Sequence, residues 1–142
     1  MYSGLKAWLK EMRRYQKGGA PVAGALERLQ VYVASRPDLD IDRWNEYAGT
    51  GGINPEVARF IFEFMIVRGI PIGKVRLDDR LQEDLHLNEA LDQEWGDDFQ
   101  EAFMDRFRVL RLSSSGAAPD TLRDLLVLVQ KELENSRTQE TG

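Results

Sequence analysis

Leu5, Trp8, Leu9 and Met12 stand at the spacing i, i+3, i+4, i+7, which predicts a helix over residues 3–17 with one apolar stripe. Gly18-Gly19 ends it, and Pro21 suits the start of a second helix. There Val22, Ala25, Leu26, Leu29 and Val33 repeat the pattern as far as Ser35, and Pro37 prevents continuation. Residues 38–47 are expected to form a turn and a short helix presenting Trp44 and Tyr47. The run Gly49-Thr-Gly-Gly52 reads as a flexible break and the best candidate for a boundary.

The next helix has a fuller start signal: Asn54 as N-cap, Pro55 at the first helical position and Glu56 in the first turn. Val57, Phe60, Ile61, Phe64 and Met65 form a wide apolar stripe that Ile66 and Val67 are expected to widen further. Gly69 and Pro71 close it. An extended loop from Ile72 to Leu87 follows, with apolar anchors at Val75, Leu77, Leu81, Leu85 and Leu87. Residues 97–107 are predicted helical on Phe99, Ala102, Phe103 and Phe107, with Asp97 and Asp98 where the helix dipole favours negative charge. Val109, Leu110 and Leu112 lead into a Ser113–Ala118 link. The last helix opens at Pro119-Asp120 and runs to about Glu134 on Leu122, Leu125, Leu126, Val129 and Leu133. Strand-like alternation, internal repeats and heptads are lacking, so the fold class is all-α. The expected organisation is an N-terminal helical extension over 1–50, a helical domain over 53–136 and a disordered polar tail over 137–142.

A chain of 142 residues with 42% apolar and 30% charged residues has an ordinary globular composition. It has no cysteine, which excludes disulfides, thiolate metal ligands and a cysteine nucleophile and fits a reducing, cytoplasmic setting. No apolar run approaches the length of about 20 residues that spans a bilayer, and the N-terminus carries no apolar signal core. A membrane partner is therefore not expected. The net charge of −5 argues against nucleic acid. That charge is unevenly placed. Residues 1–17 hold Lys6, Lys10, Arg13, Arg14 and Lys17 against Glu11 alone. Residues 78–105 hold eleven acids (Asp78, Asp79, Glu83, Asp84, Glu89, Asp92, Glu94, Asp97, Asp98, Glu101 and Asp105) against Arg80. A surface of that sign steers a basic partner. The basic N-terminal helix is expected to pack on the core.

Three local patterns resemble chemical motifs and fail on composition. Gly69-Ile-Pro-Ile-Gly73-Lys74-Val75 is one residue short of a phosphate-binding loop, follows a helix, and has Val75 where a hydroxyl would hold magnesium. Asp38-Leu-Asp40-Ile-Asp42 opens like a calcium loop, but Arg43 and Gly49 occupy its glycine and glutamate positions, leaving a helix-capping turn. His86 is the only histidine, so a multi-histidine zinc site is impossible and a general base would lack its partnered nucleophile. The reading is of a non-enzymatic chain without metal or cofactor, and a small-molecule ligand is not expected.

Val57-Ala-Arg-Phe-Ile, the run to Leu81-Gln-Glu83-Asp84-Leu85-His86, and Gly96-Asp97-Asp98-Phe99 through Phe107-Arg-Val109 together resemble an acyl carrier protein. Thr121-Leu122-Arg-Asp-Leu125-Leu126 is similar to the opening of that family's last helix. The Trp-Gly-Asp-Asp-Phe form further resembles a family of uncharacterised bacterial acyl-carrier-like proteins. The resemblance spans residues 53–136 and implies an acyl-carrier-like helical bundle. Carriers attach phosphopantetheine to a serine at the start of their second helix. Counting forward from Glu83-Asp84-Leu85 puts that position at Glu89, and counting back from Phe107 puts it at Gln93, because this loop is four residues longer. Neither can carry the group, and residues 53–112 contain no Ser, Thr or Tyr. What the resemblance leaves is the carriers' acidic docking helix. The expected function is thus a binding module whose acidic loop and helix engage a basic protein partner, an immunity or antitoxin role being one concrete form. The alternative is a binder of lipid or acyl chains, held non-covalently by Phe60, Phe64, Phe99, Phe103 and Phe107.

Overall fold

Asn54 starts the central helix as the sequence predicts: its side chain accepts from the Glu56 N–H at 2.7 Å, and Pro55 follows. In the computed structural model this helix is the third of six α-helices among the described residues, which are Leu5, Trp8, Leu9, 24–91, 95–109 and 118–141, with backbone alone at 137–141. The order is α1 (Ala25–Val33), α2 (Ile41–Thr50), α3 (Pro55–Ile66), a 3-10 turn (Ile72–Lys74), α4 (Leu87–Ala90), α5 (Trp95–Phe107) and α6 (Leu122–Thr141). No strand occurs among these residues, so the all-α expectation holds; Arg80 and Thr121 form one isolated bridge.

The buried side chains form one core. It takes Leu29 and Val33 from α1, Trp44 and Ala48 from α2, six apolar side chains from α3, and Leu125, Leu126 and Val129 from α6. Leu5, Trp8 and Leu9 are helical and buried in the same core, so the part of the expected extension that is described packs as the basic helix was expected to. Met12, Val22 and the five N-terminal bases lie outside the described residues.

Some expectations are corrected. The Gly49–Gly52 run is not a loose break: α2 continues through Thr50, and Ile53 N–H returns to the Ala48 carbonyl at 3.2 Å. Gly51 packs closely, since a Cβ there would lie 2.5 Å from Leu77 Cδ1 and would make that side chain shift. α2 and α3 then pack directly on each other across this turn. Ile66 and Val67 do not widen the buried stripe, being 45% and 76% exposed. They fall at the helix end, which Gly69 closes with φ 84° as Ile70 N–H bonds the Met65 carbonyl, a Schellman turn. Residues 137–141 of the tail are also helical, since no Gly or Pro interrupts α6 before Thr141. Its start is set by a capping box at Thr121 and Asp124, each side chain accepting the other's N–H.

The 72–87 segment is ordered by its anchors. Val75, Leu77, Leu81, Leu85 and Leu87 are all buried. Backbone bonds sew it to the start of α6: Leu81 N–H to Asp120, Leu122 N–H to Asp79 and Arg123 N–H to Leu77. Trp44 donates to the Val75 carbonyl at 3.2 Å, and the Tyr47 hydroxyl accepts from Leu77 N–H at 2.7 Å. The glycine-rich pattern at 69–74 is a helix stop and a tight turn, with Gly73 pressed against the Leu39 backbone. Asp40 caps α2 by accepting from Arg43 N–H at 2.9 Å, the capping role its sequence suggested.

Candidate functional site: the acidic face of α5

Helix α5 begins two residues earlier than the periodicity implies, because Trp95 is buried and donates to Asn88 Oδ1 at 3.1 Å. Phe99 and Phe103 point inward and are fully buried. The opposite side carries Asp97, Glu101 and Asp105, all exposed, one on each successive turn. Gln100 and Met104 lie between them, half-buried, with the amide nitrogen 3.8 Å from the sulfur. These five residues line a shallow depression of about 510 Å³. A second, of about 570 Å³, shares Glu101 and Asp105 and adds Arg68, Asp98 and Ala102.

The cations beside this face are already engaged. Arg68 lies 3.6 Å from the centre of the Phe64 ring, donates to the Phe64 carbonyl and sits 3.9 Å from Asp98. Arg106 pairs with Glu63 at 3.3 Å. Among the described residues no ion pair reaches Glu101 or Asp105.

The other described acids of the predicted set, Asp78, Asp79, Glu83, Asp84 and Glu89, lie outside α5. Asp79 is the plain correction: it is buried, and its carboxylate accepts from Arg36 at 2.5 and 2.9 Å, from Arg76 N–H at 2.7 Å and from the Tyr32 hydroxyl at 3.4 Å. It holds the fold and presents nothing to a partner. Its hydrogen bonds raise the Arg36 pKa above the ordinary value. Glu83 is exposed but paired with Arg80, whose pKa it raises. Asp84 is half-buried and caps the Arg80 N–H at 2.9 Å. Glu89, one of the two positions counted for the missing serine, lies in α4 at 3.7 Å from Arg28. Asp78 is exposed and apart from α5 in the chain. Asp92, Gln93, Glu94 and the Ser113–Ser115 link lie outside the described residues.

The five phenylalanines offered as a cavity lining pack on one another instead. Phe60 touches the rings of Phe64, Phe99, Phe103 and Phe107 at centroid distances of 5.4–6.1 Å, mostly edge to face. Four of them are buried and Phe107 is half-buried. Among the described residues no group of three His, Asp or Glu converges as a metal would require, and no helix is long and apolar enough to cross a membrane.

A further depression of about 560 Å³, absent from the sequence reading, opens between α1 and the turn at 83–86. Its apolar floor is Val31 and Tyr32, exposed by 76% and 43%. The one sequence signal was that both stand off the Ala25, Leu29, Val33 stripe of α1. Comparison of the chain with protein-family models, with curated proteins and with solved structures returned no match.

Proposed function

We propose that this protein is a non-catalytic, cytoplasmic binding module that engages a basic protein partner through the outer face of α5. The observation carrying the proposal is the stripe of Asp97, Glu101 and Asp105 on successive turns around the half-buried Met104. Like charges at i, i+4 cost a helix a few tenths of a kcal/mol each, so the stripe is a liability for α5 taken alone. Its use is electrostatic: a one-signed helix face accelerates encounter with an oppositely charged protein. A flexible Met in its midst gives an adaptable apolar contact. The acyl-carrier resemblance supports the same reading, since in that family an acidic helix docks on basic enzymes, and here the docking helix would persist without a prosthetic group. Neutralisation of a basic toxin by an immunity protein is one concrete form of it.

The test is capture from a host extract. The immobilised chain should retain a basic protein at low ionic strength and release it as salt rises, and Glu101→Lys with Asp105→Lys should abolish retention. A captured protein indifferent to both salt and charge reversal refutes the assignment.

A further inference from the structure

We infer that the groove between α1 and the 83–86 turn is a second docking site, taking a basic peptide segment that carries an aliphatic side chain. It is lined by Glu27, Val31 and Tyr32 from α1 and by Glu83, Asp84 and His86 from the turn, with Gly24 and Arg28 at its margin. Its volume of about 560 Å³ is sufficient for several side chains of a peptide.

Two features define the occupant. Val31 and Tyr32 make an apolar floor off the buried stripe of α1, which is Ala25, Leu29 and Val33. The rim is acidic. Arg28 is taken by Glu89 and Glu83 by Arg80, while no ion pair among the described residues reaches Glu27 or Asp84. An aliphatic side chain on Val31 and Tyr32, flanked by Lys or Arg facing Glu27 and Asp84, complements both. A polyanion is repelled.

The groove is built before anything binds. Leu85 is buried beneath the turn. His86 is held at φ 50° between its own N–H bond to the Gln82 carbonyl and the Ala90 N–H that its carbonyl accepts. The Tyr32 hydroxyl reaches Asp79 at 3.4 Å, and the Arg36 guanidinium stands 5.0 Å from its ring. Such preorganisation lowers the ordering cost of binding. The Glu83-Asp84-Leu85 piece of the sequence resemblance thus has its own use, apart from α5. The inference shares with the proposed function only the positive charge of the partner, and the two sites have no residue in common.

The test is an amide-shift titration of the full chain with a short lysine peptide bearing one central leucine. Shifts are expected at Val31, Tyr32 and His86, with binding about tenfold weaker in Glu27→Lys and severalfold weaker in Val31→Ser. The same peptide should bind Glu101→Lys/Asp105→Lys with its groove shifts intact. Absence of groove shifts, shifts confined to α5, or unchanged affinity in both groove variants overturns the inference. The α5 face is tested separately, on the captured partner, so failure at the groove leaves that proposal standing.

Discussion

A carboxylate ringed by a guanidinium, a main-chain N–H and a phenol is costly to leave half-dismantled, because the charges that remain have lost their solvent and their partner. Asp79 is in that position, joining α1 through Arg36 and Tyr32 to the segment that carries Arg76. Asp79→Ala should therefore cost about 3 kcal/mol in urea unfolding. Asp78→Ala, one residue away and exposed, should cost less than about 0.5 kcal/mol. Nothing in the sequence separates these two aspartates, since the partner that draws one inward lies 43 residues earlier. Tyr32 adds a pH dependence. Partial burial, then Asp79 and Asp84, raise its pKa above the ordinary 10.0, so folding favours its neutral form. Its contribution is complete below pH 10.0 and is lost as pH rises through the folded value. Unfolding followed across that alkaline range should show a shallower loss of stability in Tyr32→Phe than in the parent.

At the scale of elements, the helices were legible because an apolar stripe repeating every three or four residues admits one geometry, and α3 and α6 follow theirs closely. Glycines other than the helix stop at Gly69 were not legible, because a glycine placed for close approach looks the same as one placed for freedom. Gly49 and Gly96 separate the two cases. A Cβ on Gly49, within α2, meets nothing within 4 Å, whereas one on Gly96 would lie 2.8 Å from the Leu9 carbonyl oxygen. Gly49→Ala should stabilise the protein by about 0.5–1 kcal/mol through helix propensity. Gly96→Ala should destabilise it by about 1–3 kcal/mol, because backbone must move. It should also alter tryptophan fluorescence, since Trp8 and Trp95 pack edge to face at 5.6 Å just there. A Gly96→Ala variant with unchanged stability and emission would mean that Trp8 and Leu9 do not rest on α5. The groove beside α1 was illegible for a related reason: two apolar residues off a helix stripe acquire meaning only when a turn from elsewhere faces them.

At the scale of the molecule, acids that form one run in sequence are distributed by the fold among separate tasks. Asp79 is spent inside, Glu83 and Glu89 are neutralised by arginines, and Asp84 caps a turn and borders the groove. Glu101 and Asp105, which no ion pair reaches among the described residues, stand with Asp97 on the exposed face of α5. Charge kept for a partner and charge kept for the fold respond oppositely to reversal. Glu101→Lys places a cation four residues from an acid on either side, turning two repulsive i, i+4 pairs into attractive ones. The variant should therefore unfold at equal or higher urea concentration, with a gain of about 0.3–1 kcal/mol that shrinks as salt is added. Its association with the basic partner should slow by about tenfold or more at low salt and converge on the parent at high salt. Stability and association must move in opposite directions in this one variant. If both fall together, the acids of α5 belong to the fold, and the binding face lies elsewhere.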